Sequence, residues 1–185
     1  QVCKFHHGEF SVVAGEKWVD AEHEHEDEEE WFADGPGATA RFNNPRGIAL
    51  CADGSLVVAD SGNNRIRKIS PLGFVTTLAG SGQEGFADGA AADAIFNGPS
   101  AVAVRADGSI VVADRYNSRI RLISPAGLVT TLAGSGAYGF ADGSAAEARF
   151  KFPWGVAVGL DGTVMVCDLG NNRLRRIAAD GAVST

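Results

Sequence analysis

The sequence predicts an all-β chain of about three four-stranded antiparallel units, stacked as blades of a β-propeller and forming part of a larger ring. Three observations predict it. A period of 54 residues, headed by Phe42, Phe96 and Phe150, runs to the last residue, and the first two copies agree without a gap at 36 of 54 positions. Each copy alternates short runs rich in Val, Ile and Thr with turn residues, in an order that makes four strands. The first two strands of a copy are apolar on both faces, so a unit must be covered on both sides, and neighbouring copies supply the cover.

Taken in order, residues 1–9 read as an N-terminal segment. Residues 10–41 read as the last strand of a preceding blade, because Glu9 to Gly15 aligns with the fourth strand of copy two, followed by an acidic insert loop over 16–31. Blades follow at 42–95, 96–149 and 150–185, the third truncated. In copy two the strands are predicted at 101–105, 109–114, 119–124 and 128–133. Asp53-Gly54, Asp107-Gly108 and Asp161-Gly162 mark tight hairpins, since glycine supplies the positive φ such turns require. A fourth strand arrives before copy one, yet copy three begins its own at Gly181 to Thr185. One of the two would be surplus if three blades closed alone, and propellers typically have four to eight. The chain is therefore expected to be a piece of a longer one, or, less favoured, half of a dimeric ring.

Charge is local. The formal net charge is −7, but Glu16 to Trp31 holds nine carboxylates and one lysine, which leaves the rest close to neutral. That excludes the broad basic field on which sequence-independent nucleic-acid binding depends. The run of like charge reads as a solvated loop; within it His23 and His25, beside carboxylates, are weak metal-ligand candidates. No apolar run is long enough to span a membrane. Cys3, Cys51 and Cys167 cannot all pair within one chain and read as small core residues, which leans toward an intracellular compartment without fixing the localisation.

The motif P-x-G-[IV]-A-V, D-G-x-[LIV]-V-V-A-D, N-x-R-I-R-x-I, followed by V-T-T-L-A-G-S-G and F-A-D-G, resembles the NHL repeat. It is carried by Pro45, Gly47, Ile48, Asp60, Asn63, Arg65 and Ile66, by Pro99, Asp114, Asn117, Arg119 and Ile120, and by Pro153, Gly155, Asp168, Asn171, Arg173 and Leu174. Ala101 departs from the glycine after the proline. The resemblance implies a ring of six blades.

Two kinds of polar residue then separate. Asp60, Asn63 and Arg65, with Asp114, Asn117, Arg119, Asp168, Asn171 and Arg173, recur in every copy and read as structural staples, the Asp facing the Arg across a hairpin while the Asn satisfies the turn. Arg67, Arg121 and Arg175, with Lys68 and Arg176, read as a solvated basic row on the third strands. Residues that depart from the repeat point instead to a partner. Arg46, Ser100 and Trp154 share one slot in the proline turn, and Tyr116 stands where other copies have Gly62 and Gly170. Arg46, Tyr116 and Trp154 are of the types that anchor interfaces. They fall at the end of the blades that carries the longer loops.

The expected function is a non-catalytic scaffold that binds a protein or peptide through this loop-rich end, with no cofactor, no membrane span and no nucleic-acid partner. The alternative is a metal-dependent propeller enzyme, lyase or lactonase-like. No histidine follows His25, so its catalytic residues would lie in blades outside this chain.

Overall fold

The computed structural model describes residues 2–6, 9–15 and 31–185. β1 (Val2–His6) and β2 (Glu9–Ala14) form an antiparallel hairpin. The N-terminal segment thus supplies a strand that the sequence did not signal. After the short β3 (Gly35–Pro36), β4 (Pro45–Leu50), β5 (Leu56–Asp60), β6 (Arg65–Ile69) and β7 (Phe74–Ala79) make the first blade, with β3 pairing onto β7. β8 (Gly89–Ala90) pairs onto the outer strand of the second blade, whose order is β9 (Pro99–Val104), β10 (Ile110–Asp114), β11 (Arg119–Ile123) and β12 (Leu128–Ala133). The third blade is β13 (Pro153–Val158), β14 (Val164–Asp168), β15 (Arg173–Ile177) and β16 (Val183–Ser184). This is the all-β, antiparallel propeller architecture that the repeat predicts.

The first strand of the second blade starts two residues earlier than predicted. Pro99 pairs with Asp114 across a register shift that leaves Ser100 outside the ladder. Trp154 and Arg46 are displaced at the equivalent shifts in β13 and β4. A bulge of this kind frees a side chain from the alternation of the strand and re-aims it. Proline is tolerated there because a strand's first residue has no ladder donor to lose.

Blades bury their apolar faces against one another. Val57, Ala59, Ile66 and Ala79 of the first blade meet Phe96, Val112, Ile123 and Val129 of the second in one core cluster. Val111, Ala113, Ile120 and Ala133 of the second meet Phe150, Val166 and Ile177 of the third in another. Ala14, at the end of β2, enters a third cluster with Val58, Ile69 and Val75, with Val13 packed against it. The matching face of the third blade carries exposed Met165, Cys167 and Leu174. Cys51 is half-buried and Cys167 exposed, both as free thiols, so the reading of Cys167 as a core residue is corrected.

Candidate functional site

The repeated residues form an internal frame, but not quite in the predicted pairing. Asp60 and Arg65 are register partners, yet the Asp60 carboxylate pairs with Arg67, Nη1 lying 2.7 Å from Oδ2 with both side chains fully buried. The reading of Arg67, Arg121 and Arg175 as a solvated row is therefore corrected: all three are 0% exposed. Arg67 Nη2 also donates to Asp34 Oδ1 at 2.6 Å and to the Ala33 carbonyl at 2.7 Å, drawing in the Phe-Ala-Asp-Gly connection. Arg121 does the same with Asp114 and Asp88, and Arg175 with Asp168 and Asp142. A guanidinium enters a core only when carboxylates and carbonyls absorb its donors, and here they do.

Asp60 Oδ1 accepts the Asn43 N–H at 2.8 Å, while Oδ2 accepts the Asn63 amide at 2.9 Å. Burial pushes the Asp60 and Asp114 carboxyls above their ordinary value, against these amide donors and the arginines that favour the ionised form. Arg65 turns outward, donating to the Ser81 carbonyl at 2.9 Å and resting 3.9 Å from the Phe32 ring centroid. Arg119 lies 3.8 Å from Phe86 and Arg173 4.1 Å from Phe140 in the same way. Asn117 and Asn171 each bridge their blade's aspartate to a connection carbonyl, of Gly85 and Gly139.

The residues that depart from the repeat behave differently, and three inner strands bring them together. Ser100 is small and buried, and its Oγ donates to the Trp154 carbonyl at 2.8 Å. Across it Arg46 reaches the Trp154 ring, with its guanidinium carbon 4.7 Å from the centroid. Arg115 lies at the same distance from that ring and 4.6 Å from Tyr116, whose hydroxyl its Nη1 approaches to 3.0 Å. Tyr116 meets Phe152 edge to face at 5.9 Å, and Tyr138 lies 5.2 Å from Phe152. The Tyr138 hydroxyl donates to the Tyr116 carbonyl at 3.1 Å. Arg46, Tyr116 and Trp154, chosen separately in the sequence, thus share one exposed surface with Arg115, Tyr138 and Phe152.

The local backbone sets this turn apart from its counterparts in the other two blades. Phe152 has φ 50°, in the left-handed region, where the other copies have Asn44 at 48° and Gly98 at 55°. A bulky residue there costs about 1–2 kcal/mol, an outlier of the kind found at functional sites. Gly98 serves Tyr116, because a Cβ at 98 would lie 2.5 Å from the tyrosine ring. Gly98→Ala is expected to retain the fold, lower stability by about 1–2 kcal/mol and displace Tyr116 from Phe152. Thermal melting and the aromatic circular dichroism band read the two effects.

Sequence reasoning missed Asp34, Asp88 and Asp142, although they recur with the period of the arginines they bind. It also missed Arg115, Tyr138 and Phe152. Each stands where its counterparts are dissimilar, Ser61 and Leu169, Glu84, and Asn44 and Gly98, so the rule that singled out Trp154 would have found them. His23, His25 and residues 16–30 of the acidic insert lie outside the described residues; Trp31, at its end, accepts the Asn63 amide on its carbonyl at 2.9 Å. Among the described residues no group of three or more His, Cys, Asp or Glu is placed to share a metal ion. None of their helices is long and apolar enough to cross a membrane.

The model of the NHL repeat matches residues 42–69, 96–121 and 150–177, one match per blade. The chain carries three NHL repeats. It is 40% identical over 91 residues to Protein SUPPRESSOR OF QUENCHING 1, chloroplastic, of Arabidopsis thaliana, which covers 49% of this chain and 9% of that protein. It is 37% identical over 108 residues to NHL repeat-containing protein 2 of Gallus gallus, covering 56% of this chain and 15% of that protein. This NHL chain therefore spans a small part of either relative. A structural genomics protein of unknown function from Bacteroides thetaiotaomicron superposes with a TM-score of 0.72 at 20% identity, over 96% of this chain and 40% of that one, a likeness of fold. The buried frame pairs recur in all three matched repeats, whereas Arg115, Tyr116, Tyr138, Phe152 and Trp154 stand at positions that the copies do not share.

Proposed function

We propose that this protein is a non-catalytic NHL propeller scaffold that binds a protein or peptide partner at the loop end, through the surface formed by Arg46, Arg115, Tyr116, Tyr138, Phe152 and Trp154. A propeller by itself favours neither binding nor catalysis, so the reading rests on the site. One observation carries it: the once-only residues of three blades converge, while the repeated pairs Asp60–Arg67, Asp114–Arg121 and Asp168–Arg175 stay inside. A structural role would recur with the blades, as the Asp–Arg frame does. Tyr, Trp and Arg, clustered and part-exposed, are the types on which binding energy concentrates.

Selection of a random peptide display library on the immobilised protein tests the reading. Peptides enriched on the wild type are expected to lose at least about tenfold in affinity on Trp154→Ala, with the melting transition preserved. Arg173→Ala, whose guanidinium rests on Phe140 and not on these rings, serves as the comparison and is expected to leave binding unchanged. Enriched peptides that bind Trp154→Ala as tightly as the wild type would sink the assignment of this surface.

A further inference from the structure

We infer that the surface around Trp154 takes an acidic linear peptide, whose carboxylates meet Arg46 and Arg115 while an apolar side chain lies against Tyr116, Phe152 and Tyr138. This rests on the reading of the loop end as a peptide-binding surface and adds the chemistry of the ligand. The frame arginines have their carboxylates: Arg67, Arg121 and Arg175 each bind two aspartates within 2.6–2.9 Å. Arg46 and Arg115 have none among the described residues. Arg46 has only the indole of Trp154, and Arg115 donates only to the Tyr116 hydroxyl. The Nε atoms of both are buried without a hydrogen-bond partner.

Two guanidinium groups 4.7 Å from the centroid of one indole repel each other, and no side chain of the frame relieves them. An anion bridging them removes that repulsion and supplies the geometry a guanidinium fork prefers. Lys151, exposed one residue before Phe152, adds a third positive charge in the same turn. The cations are few and local, and the chain carries −7 overall, so a short peptide with spaced carboxylates fits better than the continuous phosphate backbone of a nucleic acid. The neighbouring ring faces and edges suit an aliphatic or aromatic residue between those carboxylates.

Three fluorescein-labelled probes titrated into the protein, followed by anisotropy, test the inference: a 12-residue peptide alternating Glu or Asp with Leu or Phe, its Gln and Asn isostere, and a 12-nucleotide single strand. The acidic peptide is expected to bind, to weaken with added salt, and to exceed its isostere by at least about tenfold. Arg46→Glu with Arg115→Glu is expected to abolish that preference. Arg46→Lys with Arg115→Lys should retain part of it, since the charge stays while the planar stacking fork is lost. Melting curves confirm that each variant is folded. Equal binding of the isostere, or an unchanged preference after charge reversal, overturns the acidic ligand while leaving the peptide-binding reading intact if Trp154→Ala still removes binding. Tighter binding of the oligonucleotide overturns it in favour of nucleic acid. No binding of the acidic peptide at millimolar concentration overturns it outright.

Discussion

Replacement of Arg121 by alanine is expected to lower the unfolding free energy by about 3–5 kcal/mol, the usual cost of leaving one member of a buried ion pair without its partner. Urea unfolding measures it. The size follows from what Arg121 holds. Its Nη1 pairs with Asp114, its Nη2 with Asp88 and with the Ala87 carbonyl, and Nη1 also donates to the Ile95 carbonyl. Its removal leaves the fully buried Asp114 carboxylate with only the Asn97 N–H and the Asn117 amide, and frees two connection carbonyls. Against a typical domain stability of about 5–15 kcal/mol this is enough to unfold a fair part of the population at body temperature. The double replacement Asp114→Leu with Arg121→Met should cost less than the sum of its singles, because neither charge is then stranded. A loss below about 1 kcal/mol for Arg121→Ala would mean that the frame does not hold the blade together.

Phe150→Ala should cost a similar amount, about 3–5 kcal/mol, by a different route. Phe150 is fully buried in the cluster between the second and third blades, its ring 5.1 Å from the Arg175 guanidinium. The vacated volume is bounded by strands that cannot collapse inward without breaking register. Because repeats hold one another through neighbour interfaces, the loss should fall on one boundary. Hydrogen exchange is therefore expected to quicken first in β13 to β16, while β4 to β12 remain protected. The Phe96→Ala counterpart should loosen the boundary between the first and second blades instead. Uniform loss of protection in either variant would contradict independent boundaries.

The blades were legible because their signals are local and repeated: hairpin glycines, β-branched runs and a fixed 54-residue period. The frame was half legible. Asp60 and Asn63 announce themselves through turn chemistry, but Arg67 looks like an ordinary solvated residue until its carboxylates are found 33 and 7 residues upstream. The choice between Arg65 and Arg67 depends on which arginine the connection covers, and no spacing rule contains that. The interaction surface was legible one residue at a time. Arg46 and Trp154 stand two periods apart, and only the convergence of β4, β9 and β13 puts them in contact. β1 escaped notice because its five residues carry no turn signal and no repeat partner.

The crowding around Tyr116 constrains how such a surface can change over time. In the second blade the tyrosine ring occupies the space a side chain at 98 would fill; in the other two, Gly62 and Gly170 sit against Asn43 and Lys151 so closely that a Cβ would fall within 2.5–2.6 Å of them. An aromatic residue introduced at 62 or 170 alone would meet an occupied site. The positions on the two turns are epistatic, and a mutational path that moves the aromatic cluster to another blade must clear the proline turn before it enlarges the loop. Descendants of this repeat would then differ from one another in paired steps at these turns, while the aspartate and arginine of the frame drift scarcely at all.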